Sequence, residues 1–212
     1  MRILGIDPGS RFVGYGIIDI HGHAYECLDF GTVCAVHLQS LDAKLLHIFE
    51  AIQKLLRRHK PDAVAIEGIF GQARKFQGAL LLGQARGVAL LAVALEKTPV
   101  FEYAPARIKK AVGAGGNGSK AAVTRMVRML LKMPEQSMRA DAYDGLAIAL
   151  CHAHAVLGLG RSQLSLSTSP SKPRVLPTKV SPLLASLPKA KGPTSAFAER
   201  LKKSYVAPKE AK

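Results

Sequence analysis

Apolar residues crowd the start of the chain. Ile3, Leu4 and Ile6 lead into Asp7 and a Pro8-Gly9 turn, which predicts a short buried strand over Arg2–Asp7. Phe12–Ile20 and His23–Ala35 read as two further strands joined at His21-Gly22, an antiparallel meander. Ser40 then precedes a run in which Leu41, Leu45, Ile48, Ile52, Leu55 and Leu56 recur at helical spacing, so a capped amphipathic helix is expected. Ala63–Glu67 is too apolar to be anything but a central strand. Helix is expected over Ala79–Glu96, strand over Val100–Tyr103, and helices over Pro105–Val112, Lys120–Lys132 and Ala140–Ala155. Hairpin strands followed by alternating helices and strands predict an α/β domain with a mixed five-stranded sheet flanked by helices.

That patterning stops near residue 157. Residues 158–212 hold 11 Lys+Arg against 2 acids, 7 of the 12 prolines and 9 serines. Such a composition buries too little surface to offset the entropy of chain ordering. We therefore expect a domain over 1–157 and a disordered basic tail over 158–212, with room for one short helix around Ala196–Ser204.

Charge narrows the partner. With 30 Lys+Arg and 15 Asp+Glu the chain carries +15, which favours a polyanion, either nucleic acid or an anionic membrane surface. No apolar run is read as approaching the ~20 residues a bilayer crossing needs, and Met1–Asp7 reads as a strand rather than a leader. A soluble cytoplasmic protein, nucleoid-associated when bound to DNA, is the expectation. Cys27, Cys34 and Cys151 show no CxxC spacing, which fits a reducing compartment. Cys151, His152 and His154 fall on successive faces of the last helix and read as ordinary helix residues rather than ligands of one ion.

The acids carry the chemistry. Asp7 ends the first strand and Glu67 the fourth. If those strands are parallel neighbours, their carboxylates emerge together, at the strand ends where α/β sheets place their sites. Asp141 and Asp144, three residues apart, share one helix face beside the small residues Ala140, Ala142 and Ala147. Any one of these acids alone reads better as a turn or helix-start residue. That reading does not explain Glu67 closing an apolar strand, or Asp144 within an apolar helix face. Four converging anions require a counter-charge; hard oxygen donors fit Mg²⁺ or Mn²⁺. A pair of such ions can activate water and stabilise the leaving oxygen of a phosphodiester.

The chain resembles the RuvC family of Holliday-junction resolvases. The resemblance rests on Ile3-Leu4-Gly5-Ile6-Asp7-Pro8-Gly9-Ser10, Gly14-Tyr15-Gly16, Ala65-Ile66-Glu67 and Leu82-Gly83-Gln84-Ala85-Arg86-Gly87. It continues through Val100-Phe101-Glu102-Tyr103-Ala104-Pro105 and Asp141-Ala142-Tyr143-Asp144-Gly145-Leu146-Ala147-Ile148-Ala149. It implies an RNase H-like fold, a homodimer, and metal-dependent cutting of four-way junction DNA by paired symmetric nicks, in recombination and repair. Two Mg²⁺ per subunit, with Mn²⁺ as a substitute, would be held by Asp7, Glu67, Asp141 and Asp144. The resemblance also assigns Lys109 and Lys120 to DNA binding and Phe70 to stacking within the opened junction, and it implies coupling to a branch-migration complex of the RuvA and RuvB type. Arg74 and Lys75, in the loop beyond Glu67, add candidate DNA contacts.

The departures from the family are local. Gly68 and Gly71 flank Ile69-Phe70, Gly113–Gly118 is unusually rich in glycine, and Tyr143 and Gly145 replace common alanines. Lys109, Lys110 and Lys120 border that glycine loop and are placed to hold phosphates, although surface lysines of a solvated helix give the same pattern. Leu80, Gly83, Gly87, Leu90 and Leu91 suit either packing on the sheet or close approach of a symmetry mate, and two matched cuts favour a two-fold dimer. A sugar-kinase or actin-like ATPase also opens with a strand ending in Asp-x-Gly, but needs a second such domain. Gly118-Ser119-Lys120 also reverses the order of a P-loop ending. A junction-binding protein without chemistry would have no use for all four acids. A nuclease of the same fold acting on other branched or RNA-containing duplexes is the remaining alternative.

Overall fold

The computed structural model describes residues 1–68, 76–134, 138–158 and 174–176. Strands β1 (Arg2–Asp7), β2 (Phe12–His21) and β3 (Ala24–Cys34) form the expected meander. Helix α1 (Leu41–His59) leads to β4 (Ala63–Glu67), then α2 (Phe76–Leu95) to β5 (Val100–Tyr103). Helices α3 (Pro105–Ala111), α4 (Lys120–Leu130) and α5 (Ala140–Val156) complete the domain. Ser40 caps α1 by accepting a hydrogen bond from the Ala43 amide, and Ser119 caps α4 through the Ala122 amide.

The sheet order is β3-β2-β1-β4-β5-β6. β1, β4 and β5 run parallel, and β2 lies antiparallel to both β1 and β3. The five expected strands are present, and a sixth extends the sheet: β6 (Arg174–Leu176) pairs antiparallel with β5. These three residues lie within the segment expected to be disordered. No period announces them, because the open edge of β5 supplies the partner groups. The rest of that segment, including Ala196–Ser204, lies outside the described residues.

Strand alternation divides the core. Leu4, Ile6, Ile17, Val64, Ile66 and Val100 face α1 and α2, where Ile48, Ile52, Leu56, Ala89 and Val93 cover them. Ile3, Ala65 and Tyr103 face the other way, onto α3, α4 and α5. The same parity puts Asp7 and Glu67 on the α5 side. Their strands pair in register, Ile6 opposite Ile66, so the two acids leave the sheet level with each other.

Helix α2 corrects two expectations. It begins at Phe76, before Ala79, because Gly78 has open space around it and interrupts nothing. It also contains a run, Gln77–Leu95, of 19 residues with hydropathy 1.7, long and apolar enough to cross a bilayer by length and composition. The polar Gln77, Gln84 and Arg86 obscure that run when read residue by residue. Its setting is a sheet cover: Ala85, Ala89, Ala92 and Val93 are buried, and Arg86 pairs with Glu102 of β5 at 3.0 Å.

Candidate metal centre

Helix α5 lies unusually close to the sheet, and glycines make this possible. A Cβ on Gly14 would overlap the Asp141 carbonyl oxygen, and one on Gly16 would come 2.5 Å from the Leu146 nitrogen. From the helix side, a Cβ on Gly145 would stand 2.5–2.7 Å from the Tyr15 backbone. Gly14 and Gly16 occupy alternate positions of one strand, so both present hydrogen where α5 crosses. The seat brings the N-terminal turn of α5 to the ends of β1 and β4.

Three of the acids meet there, with Glu67 beside them. Among the described residues, Asp7, Asp141 and Asp144 form the one grouping of three whose ligand atoms all lie within 4.8 Å of one another. Glu67 is not in that trio; it stands on its flank and shares a hydrogen bond with Asp7. Burial, then the negative charges of Glu67 and Asp144, push the Asp7 carboxyl well above the usual carboxylate range. Glu67 is also raised, first by burial, although its bond with Asp7 and the nearby charges of Lys120 and Lys109 work against this. A proton shared between these two acids is what such a cluster resorts to when no cation neutralises it.

Lys120, the first residue of α4, brings a cation to the trio. Its Nζ lies 2.8 Å from Asp144 Oδ2 and 3.4 Å from Asp141 Oδ1. Burial lowers its pKa, but the bonds and charges of Asp144 and Asp141 outweigh that, so the ammonium is held charged. Lys109, on α3, is close enough to Glu67 to favour its ionised form. Phe70, Arg74 and Lys75 lie outside the described residues.

Two further residues belong here and were not legible beforehand. Arg139 hydrogen-bonds Asp141 Oδ2 through Nε and Nη2, and its guanidinium lies over the Phe12 ring. The only local sign was a basic residue two before Asp141; Phe12 is remote in sequence. By contrast, Cys151, His152 and His154 diverge as expected. His152 Nδ1 meets the Tyr103 hydroxyl at 2.7 Å, and His154 Nδ1 donates to the Ala111 carbonyl oxygen at 2.9 Å. Burial pushes His152 down to about 4, keeping it neutral.

The donor set fits a hard divalent ion. All four donors are carboxylates, none is a sulfur or imidazole, and the proton-retaining tendency of Asp7 marks an excess of negative charge.

The chain is similar to known proteins over most of its length. The family model for crossover junction endodeoxyribonuclease RuvC matches residues 3–152. A protein of that description from Myxococcus xanthus is 41% identical over 209 residues, covering 98% of each chain. Another from Halorhodospira halophila is 46% identical over 153 residues, covering 72% of this chain and 90% of its own. Among solved structures, Thermus thermophilus RuvC in complex with Holliday junction substrate superposes with a TM-score of 0.67 at 31% identity, covering 74% of this chain and 97% of that one. The yeast mitochondrial Holliday junction resolvase Ydc2, 13% identical with a TM-score of 0.53, covers 76% of this chain and 83% of that one and shares the RNase H-like fold.

Proposed function

The chain belongs to the RuvC family of crossover junction endodeoxyribonucleases, and we propose that it resolves four-way DNA junctions by paired symmetric nicks in homologous recombination and DNA repair. The observation that carries this reading is the convergence of Asp7, Glu67, Asp141 and Asp144 at the ends of two parallel strands. These four residues would hold two Mg²⁺, with Mn²⁺ able to substitute. When bound, such a pair supplies an activated water and stabilises the leaving oxygen of a phosphodiester.

The chain's own residues do the rest. Lys120 pairs with Asp141 and Asp144, and with a divalent ion bound it would be free to meet an incoming phosphate. Lys109, on the same side of the site, adds a second phosphate contact. Phe70, Arg74 and Lys75 would meet DNA beyond Glu67, Phe70 by stacking on an unpaired base. Asp141 and Asp144 are held at fixed separation by a rigid helix, and Asp7 and Glu67 by hydrogen-bonded strands. The site therefore needs little rearrangement to act.

Two matched cuts call for two matched sites, and α2 offers the surface for a two-fold dimer. Gly83 and Gly87 face open space, and Leu80 and Leu91, each 53% exposed, flank them on the face turned from the sheet. A second copy of this helix would bury those leucines and approach closely over the glycines. We assign residues 1–157 to the nuclease domain and 158–212 to a basic extension that adds non-specific DNA affinity. A cytoplasmic location and coupling to a branch-migration complex of the RuvA and RuvB type complete the reading.

Asp7→Asn and Asp144→Asn test it. Each should reduce cleavage of a synthetic four-way junction in Mg²⁺ by at least about a thousandfold, as expected when a group acting in concert with others is lost. Junction binding, read by gel shift, should persist. Loss of binding together with cleavage would assign these acids to the fold instead.

A further inference from the structure

Arg139 immediately precedes α5, with backbone φ −62° and ψ 143°, and its side chain makes no capping bond to the helix it introduces. It turns instead across to β2, where its guanidinium carbon lies 3.6 Å from the centre of the Phe12 ring. Nε and Nη2 both donate to Asp141 Oδ2, at 3.2 and 3.1 Å. An arginine that is 54% exposed ordinarily keeps its rotamer freedom. Stacking on a ring and donating to a single oxygen removes that freedom here. The other oxygen of the same carboxylate, Oδ1, lies 3.4 Å from Lys120. Asp141 therefore has one oxygen committed to Arg139 and one exchangeable.

We propose that Arg139, clamped on Phe12, is a positioning residue for the metal centre: it holds Asp141 by Oδ2 so that Oδ1 is presented to the ion shared with Asp7 and Asp144. The proposal rests on the metal-site reading above. Two effects of the guanidinium oppose each other. Its positive charge repels an incoming cation, whereas its hydrogen bonds fix the ligand that cation needs. Exposure decides between them. Solvent and salt screen the long-range charge of a half-exposed side chain, while its paired hydrogen bonds act at contact and fix the direction of the carboxylate. Losing a hydrogen-bonded partner of a ligand costs about 10–100-fold in metal affinity.

The two halves of the device can be removed separately. Phe12→Leu takes away the platform and leaves every charge in place, whereas Arg139→Gln removes the charge and the paired donors. Mn²⁺ binding to the full-length chain, measured by titration calorimetry without DNA, should weaken about tenfold or more in both variants, and less in Arg139→Lys. The Mn²⁺ concentration for half-maximal junction cleavage should rise in parallel, and excess Mn²⁺ should recover much of the lost rate. Thermal melting in chelator identifies any variant whose effect is general unfolding, and the other variant then decides.

Unchanged Mn²⁺ affinity in both variants, with normal binding in the parent, overturns the proposal. So does tighter binding in Arg139→Gln, which would make Arg139 a cation competing for the site. Weaker junction binding with Mn²⁺ affinity intact overturns it as well and makes Arg139 a phosphate contact. A parent chain that binds no Mn²⁺ sinks the metal-site reading itself, an outcome distinct from these.

Discussion

Asp7 is the residue on which the site's electrostatics concentrate. It is half-buried, hydrogen-bonded to Glu67 and within reach of Asp144, and desolvation first, then these neighbours, push its carboxyl up to about 8. In an unfolded chain the same group titrates near about 4. Between those values the folded protein keeps a proton that the unfolded chain has released, so the contribution of Asp7 to metal-free stability is full below about pH 4 and is lost as pH rises toward 8. Divalent cations act in the opposite sense, binding the ionised cluster best. Melting curves should therefore show metal-free Tm declining across this window, and a Mg²⁺-induced rise in Tm that grows from pH 6 to pH 8.5. A Mg²⁺ shift independent of pH would contradict the coupling.

The four acids were legible in the sequence because each sits at a position that local pattern defines: two strand ends and an i,i+3 pair. Arg139 was not, because what fixes it is a ring on β2.

Helix α5 shows how elements, rather than single residues, build the site. Its acids are useful only if its first turn reaches the strand ends, and the bare hydrogens of Gly14 and Gly16 permit that approach. Gly14→Ala would drive a methyl group against the Asp141 carbonyl oxygen, which is backbone and cannot swing aside. Overpacking of this kind costs about 1–3 kcal/mol. The variant should melt several degrees lower and bind Mn²⁺ more weakly, because the helix turn that carries Asp141 must lift. A variant with normal Mn²⁺ affinity would show that the close seat serves packing alone.

Most element boundaries followed from apolar period, with β1, β4 and β5 falling where expected. Gly14-Tyr15-Gly16 was visible as a motif, but its purpose was not, since the helix it seats lies more than a hundred residues away. The start of α2 was placed late for a related reason. The expected start at Ala79 lies just past Gly78, yet a glycine inside a helix costs only about 1 kcal/mol.

For the whole molecule, the parallel pairing of β1 with β4 brings separate motifs to one centre, and the exposed Leu80 and Leu91 of α2 mark where the proposed dimer would form. The sequence offered the parallel pairing of β1 with β4 only as a condition for Asp7 and Glu67 to meet, and the sheet meets that condition. β6 was not legible there, since three residues of a proline-rich segment show no period and owe their conformation to the edge of β5. A dimer with two such centres has a substrate requirement that a lone nuclease lacks: two equivalent phosphodiesters across a point of two-fold symmetry. The most direct measurement is to map the cuts made in Mg²⁺ on a synthetic four-way junction and on a linear duplex of the same sequence. Paired, symmetry-related nicks close to the crossover are expected, with little cutting of the duplex and no cutting in chelator. Equal cleavage of both substrates, or cleavage that persists without a divalent ion, would contradict this expectation.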